Sequence, residues 1–230
     1  MSQRVYKFIS AQFGISDLKE RRVKLSMIDD LNDPFDVFHA LDTTDPQHAK
    51  AVMGLAARFG NTVGLLCFSR NWNNLLLWSH YAASHTGICL GFDIPDDVFV
   101  ANAMDVRYQP NLLKIHDSKD LDSHFGKRLF CTKHESWSYE QEVRFFFELE
   151  DLADEHGFHW FQFGPVFQLR EVILGVRCCD DHAHKVCEAL KEYPDQIECT
   201  RAYMRNDAFL LNRRDVDPLS ADLVEAHSPT

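Results

Sequence analysis

Apolar and polar positions alternate at several places along the chain, and each such place predicts a strand. Arg4-Val5-Tyr6-Lys7-Phe8-Ile9 is the first and Val23-Lys24-Leu25-Ser26-Met27 the second. Ser16 can cap a short helix over Asp17 to Arg22, with acid in its first turn. Asn32-Asp33-Pro34-Phe35-Asp36 is a turn: Asn and Asp bond their own backbone, and Pro cannot continue a ladder. Helical spacing from Pro46 to Phe59 predicts a helix closed by Gly60-Asn61. Val63 to Ser69 is a continuous apolar run, the mark of a central strand.

Further on, a helix is expected over Asn74 to Ser84, then a strand over Ile88 to Phe92. Met104 to Tyr108 predicts a strand, Lys119 to Phe130 a polar-faced helix, and Val143 to Leu149 a strongly alternating strand. Phe158 to Phe163 and Glu171 to Val176 are further strands, Asp180 to Tyr193 a helix, and Ile197 to Tyr203 a closing strand. Strands cluster and mix irregularly with helices. That favours an α+β fold, with a mixed, mainly antiparallel sheet and packing helices, over a doubly wound one. The expected division is one domain over residues 1–212 and an acidic flexible tail over 213–230.

Composition narrows the functions. The 230 residues carry 24 Lys+Arg against 35 Asp+Glu, a net charge of −11. An acid excess of that size argues against an extended nucleic-acid surface or an anionic membrane as partner. It leaves room for a small nucleotide in one pocket. The start, MSQRVYKFIS, has no basic-then-apolar leader, and no run reaches membrane-span length. The seven Cys are therefore expected as reduced thiols in a cytoplasmic protein.

Three constellations could carry chemistry. In Trp137-Ser138-Tyr139-Glu140-Gln141-Glu142-Val143-Arg144-Phe145, strand alternation sends Val143, Phe145 and Phe147 to a core. It sends Glu140, Glu142 and Arg144 to the other face, with neighbours roughly 7 Å apart. Two carboxylates so placed can divide labour between a sugar hydroxyl and an acceptor. The plainer alternative is a solvated strand face holding a Glu–Arg pair. The second constellation is Trp78-Ser79-His80-Tyr81, followed by His85 and Gly87. His80 and His85 stand five apart, not the four that puts two metal ligands on one helix face, so packing against a sheet is its plainer reading. The third, Cys178-Cys179-Asp180-Asp181-His182 with His184 and Cys187, lacks zinc-finger or zinc-ribbon spacing, and no metal is expected there.

These residues resemble the bacterial domain-of-unknown-function family numbered 2971. The resemblance rests on Tyr6-Lys7-Phe8, Asn32 to Asp36, Cys67-Phe68-Ser69, Trp78 to Ala82, His85-Thr86-Gly87, Trp137 to Arg144 and Val172 to Gly175. They run in order from about residue 5 to about residue 205. Val143 stands where a second Trp is frequent, which alters packing rather than the polar face.

The layout is more remotely similar to ADP-ribosyltransferases, and that similarity implies roles. Glu142 would be the catalytic carboxylate and Glu140 the acceptor-side one. Lys7, or failing it Arg4, would hold the pyrophosphate, and Ser69 would support the nicotinamide ribose. Tyr81 or Trp78 would stack on nicotinamide, and His80, His85 and Arg144 would complete the substrate site. NAD would be a substrate rather than a bound cofactor, with a protein acceptor possible and a toxin or phage-defence role implied. Two other classes stay open: a non-catalytic nucleotide- or protein-binding module, and a metal-assisted hydrolase using His80, His85 and Asp36.

Overall fold

The structure is a computed structural model, and it describes residues 1–115 and 123–216. In chain order the strands and helices are β1 (Ser2–Ile9), α1 (Ala11–Glu20), β2 (Arg22–Lys24), β3 (Ser26–Met27), α2 (Pro46–Phe59) and β4 (Val63–Ser69). Next come α3 (Leu75–Tyr81), β5 (Ile88–Pro95), α4 (Asp96–Asn102), β6 (Met104–Asp105), β7 (Arg107–Gln109), α5 (Ser123–Phe130), β8 (Thr132–His134) and β9 (Glu142–Glu148). The chain continues through β10 (Ala153–Glu155), β11 (Phe158–Gln162), β12 (Gln168–Leu174), α6 (Asp180–Lys191), β13 (Glu198–Met204) and β14 (Leu211–Asp215). The fold is α+β, as the pattern predicts. No helix among the described residues is long and apolar enough to cross a membrane.

The chain divides into two compact units. The first comprises Met1–Val5, Arg22–Asn71 and Ile94–Val166; the second comprises Tyr6–Arg21, Trp72–Asp93 and Phe167–Thr230.

In the first unit β9 lies between β4 and β6, antiparallel to both, and β3 pairs with β4. The β4–β9 register sets Cys67 opposite Arg144 and Ser69 opposite Glu142. A parallel pair, β7 with β8, sets Tyr108 opposite Lys133. β2, β11 and β10 form a separate antiparallel sheet. The core gathers Ile28, Val37, Phe38, Leu41, Val52, Leu65, Leu113, Phe125 and Leu129, with Phe59, Phe130 and Phe146 packed on it. α2 begins where expected, because Asp45 accepts a hydrogen bond from Gln47 N–H (2.7 Å) and Pro46 occupies the first turn.

In the second unit β13 lies between β14 and β12, and β12 pairs with β5. The β12–β13 pair is parallel; the other two are antiparallel. Trp78, Ala82, Cys89, Ile173, Ala202 and Leu211 form its core.

Several boundaries differ from expectation. The first helix runs Ala11–Glu20, so Ser16 lies inside it rather than capping it. Gly14 looks like a breaker in sequence. Here it is a contact point, since a Cβ would stand 2.5 Å from Ile88 Cδ1. The helix expected to reach Ser84 stops at Tyr81, because Ala83, Ser84 and His85 all take positive φ (47°, 55° and 70°). β14 carries the chain through Asp215, so residues 213–215 of the expected tail pair with β13. Residues 217–230, and the part of the expected 119–130 helix before Ser123, lie outside the described residues.

Candidate functional site

The strand face that carries Glu142 and Arg144 is not solvated. Glu140, Glu142 and Arg144 are all buried, Arg144 completely. Glu140 also falls outside the strand: it ends a short 3-10 helix, Glu135–Glu140, whose start is capped by His134. Gln141 follows in the left-handed region (φ 45°), and β9 begins only at Glu142. Simple alternation from Glu140 to Arg144 therefore does not apply. The reversal at Gln141 turns both glutamates toward one cation, Lys133.

Lys133 Nζ lies 2.7 Å from Glu140 Oε2, 3.4 Å from Glu142 Oε2 and 3.6 Å from Asp36 Oδ2. It also sits 4.8 Å from the centroid of the Trp137 ring. Arg144 donates from Nε to Glu142 Oε1 (2.8 Å) and from Nη2 to Glu142 Oε2 (3.0 Å). The same guanidinium donates to both Asp36 oxygens, at 2.9 and 2.7 Å, and to the Phe130 carbonyl at 2.9 Å. Three carboxyl groups and two cations thus close a buried cluster with one more acid than base.

The Asn32–Asp36 turn is what delivers Asp36. Asp33 accepts from Phe35 N–H (2.9 Å), and Asp36 N–H donates to the Asp33 carbonyl (3.0 Å). Asp36 then accepts from Val37 N–H (2.8 Å). Val37 is β-branched yet has φ 50°, a conformation that crowds its Cβ. Strained backbone thus stands beside the cluster at two places, Val37 and Gln141, as is common where geometry serves a purpose.

Backbone bonds lock the rest. The Ser69 hydroxyl donates to the Glu140 carbonyl (2.6 Å), and Arg70 N–H donates to the Gln141 carbonyl (3.1 Å). Glu142 N–H donates to the Tyr108 hydroxyl (2.9 Å). Burial alone would discourage charge on Glu142. The Arg144 guanidinium and the Lys133 ammonium overcome it, aided by the Cys67 thiol, and hold the carboxyl down at about 2. Burial likewise opposes the charge on Lys133, but Glu142, Glu140 and Asp36 outweigh it and raise the ammonium above the usual lysine range. Glu142 is therefore an anion at neutral pH. It can stabilise positive charge, but it is too weak a base to take a proton.

Of the sequence-derived candidates, Ser69, Glu140, Glu142 and Arg144 meet in the first unit. Lys7, His80, Tyr81 and His85 belong to the second. There His80 is exposed, with its ring edge-on to Tyr81 at 6.2 Å. His85 is half-buried and parallel to Trp78, with ring centroids 6.4 Å apart. Trp78, expected to stack on a ligand, is wholly buried. It packs edge-on against Phe8 and donates from Nε1 to the Trp72 carbonyl (2.7 Å), so it is a core residue. Asp36, named beside two histidines for a metal, instead binds Arg144. Among the described residues no group of three or more His, Cys, Asp or Glu is arranged to hold a metal ion.

Sequence reasoning gave no role to Lys133, Cys67 or Tyr108. The signal for Lys133 is its place directly after the Leu129-Phe130-Cys131 run and four residues before Trp137.

No curated protein and no solved structure matches the chain. Residues 77–145 match the model of a family described as protein of unknown function (DUF2971). That stretch holds four of the five cluster residues, Lys133, Glu140, Glu142 and Arg144, and over it the chain is similar to the DUF2971 family.

Proposed function

We propose that the chain is an NAD-using enzyme, an ADP-ribosyltransferase or NAD glycohydrolase, in which Glu142 faces the positive charge that develops on the ribose. The observation that carries this reading is the register of β4 on β9, with Ser69 directly opposite Glu142. The remote similarity to ADP-ribosyltransferases implies a serine-bearing strand beside a late strand that carries the catalytic glutamate, and Glu142 is the one of the two glutamates that lies on β9.

The ionised state of Glu142 suits the role. As the bond between nicotinamide and C1′ breaks, the ribose becomes an oxocarbenium-like cation, and a fixed anion lowers that barrier. Water or an acceptor nucleophile then adds at C1′ and releases a proton. Glu142 Oε2 is the oxygen that would engage a ribose hydroxyl, since its 3.4 Å contact is the looser of the two that Lys133 makes to the glutamates. Glu140, held by Lys133 at 2.7 Å, is the acceptor-side carboxylate. This reading needs residues of the first unit alone.

The test is incubation with NAD, with nicotinamide release and modification of added protein or nucleic acid quantified. Turnover is expected, and Glu142→Gln, with folding checked by circular dichroism, should lower it by at least about a hundredfold. No turnover together with no NAD binding by calorimetry overturns the proposal.

A second reading is favoured by one observation: both Glu142 oxygens already have partners. On this reading the cluster is scaffold, and the chain is a non-catalytic module that binds a small nucleotide or a protein. NAD binding without turnover by the folded protein would select it.

A further inference from the structure

A ribose hydroxyl oxygen takes a hydrogen bond from a donor, and most donors beside Glu142 are committed within the fold. Arg144 makes five hydrogen bonds, to Glu142, Asp36 and the Phe130 carbonyl, which uses every N–H of its guanidinium. Lys133 faces the Glu140, Glu142 and Asp36 carboxyl groups with its three N–H bonds. The Ser69 hydroxyl carries a single proton, and its acceptors are the Glu140 carbonyl (2.6 Å) and the Asn71 carbonyl (3.1 Å). It has none left for a ligand.

Tyr108 differs. β9 begins at Glu142, directly after left-handed Gln141. The Glu142 carbonyl accepts from Val106 N–H (3.0 Å), and Glu142 N–H donates to the Tyr108 hydroxyl (2.9 Å). Between them in sequence, Arg107 N–H donates to the Cys131 carbonyl (2.7 Å), and the β7–β8 pairing sets Tyr108 opposite Lys133. The phenol oxygen is thus anchored at the first residue of the strand that carries the carboxylate. It acts there as an acceptor, and its own proton has no acceptor among the described residues. Burial, reinforced by the Glu142 and Glu140 charges, raises the phenol above the ordinary tyrosine range, so the proton stays on the oxygen at neutral pH. Tyr108 is half-buried, unlike the sealed Glu142, Lys133 and Arg144. A carboxylate that accepts and a phenol that donates, side by side, suit a hydroxyl-bearing ligand.

We propose that the Tyr108 hydroxyl donates to a hydroxyl of the ribose that Glu142 faces, so that the pair selects ribosyl over deoxyribosyl ligands. This rests on the reading of Glu142 as the ribose-facing carboxylate, and it gives the donor's part to Tyr108 rather than to Ser69.

The test is calorimetric binding to the full chain and to Tyr108→Phe, with its fold checked by circular dichroism. The probes are ADP-ribose and its two analogues that lack the hydroxyl at C2′ or at C3′ of the terminal ribose. ADP-ribose carries no nicotinamide, so no turnover intervenes. One analogue should bind the parent at least about fivefold more weakly than ADP-ribose, and that loss should be at least about threefold smaller in Tyr108→Phe. A tyrosine with a purely structural role would weaken all three ligands alike. Losses below about fivefold for both analogues in the parent overturn the proposal, whether or not the variant folds. So do losses that differ by less than about threefold between parent and variant. No binding of ADP-ribose by the parent also overturns it: alone if the chain binds or turns over NAD, and together with the NAD reading if it does neither.

Discussion

Arg144 and Asp36 stand 108 positions apart in the chain and meet through two hydrogen bonds, at 2.9 and 2.7 Å, with both groups buried. Removing Asp36 leaves the buried guanidinium with Glu142 and the Phe130 carbonyl alone, and a buried ion that loses acceptors costs more than the pair itself contributes. Asp36→Ala should therefore destabilise the fold by about 3–5 kcal/mol. Urea unfolding will check this, and a loss below about 1 kcal/mol would mean that the guanidinium is satisfied without Asp36.

Acid should act through Glu142. Its carboxyl is held at about 2 in the fold, against an ordinary value of 4.5. The charged form is thus favoured in the folded state. Its stabilising effect is complete above about pH 4.5 and is lost as pH falls toward 2. Urea midpoints measured across this window should fall with acid in the parent and fall less steeply in Glu142→Gln. Equal slopes would remove Glu142 as a cause.

Gln141 is exposed and left-handed, so its side chain is a conformational cost with little packing in return. Gln141→Gly should be neutral or stabilising by up to about 1 kcal/mol. Gln141→Val should destabilise by more, because a β-branched residue tolerates this backbone least. Thermal midpoints of the two variants should fall on opposite sides of the parent or bracket it.

Gly87 and Gly175 admit no side chain. A Cβ at Gly87 would lie 2.3 Å from the Ile9 carbonyl oxygen, and one at Gly175 2.2 Å from that of His85. Backbone cannot yield as a side-chain tip does. Each Gly→Ala variant should lose about 3 kcal/mol or more, whereas Gly54→Ala, with nothing within 4 Å, should gain slightly. Denaturation midpoints of the three variants will rank them.

α2 and β4 were legible in sequence because their signals are local. Pro46 stands in the first turn of one, and the other is an unbroken apolar run. α1 was misplaced because Ser16, a capping residue by type, stands in the helix interior; Gly14, a weak helix former along the chain, is a close-approach point across it. The set Glu140, Glu142 and Arg144 could be picked out by its grouping. Its burial could not, since that depends on Asp36 and Lys133, which no periodicity ties to β9. Nor could the role of Glu140 as strand neighbour be corrected from sequence, because the reversal at Gln141 involves a residue with no special liking for positive φ. The left-handed run after α3 was invisible for the same reason: Ala, Ser and His do not announce it.

The family match spans residues 77–145, and Asp36 lies outside it. A fragment cut to the matched boundaries would retain the Arg144 guanidinium but not the carboxylate that accepts two of its hydrogen bonds. Such a piece would carry the family's signature and yet leave two of the hydrogen bonds of its buried guanidinium without an acceptor. For expression work, the shortest sensible first-unit boundary is therefore set by those buried hydrogen bonds, upstream of the match, at or before the Asn32–Asp36 turn.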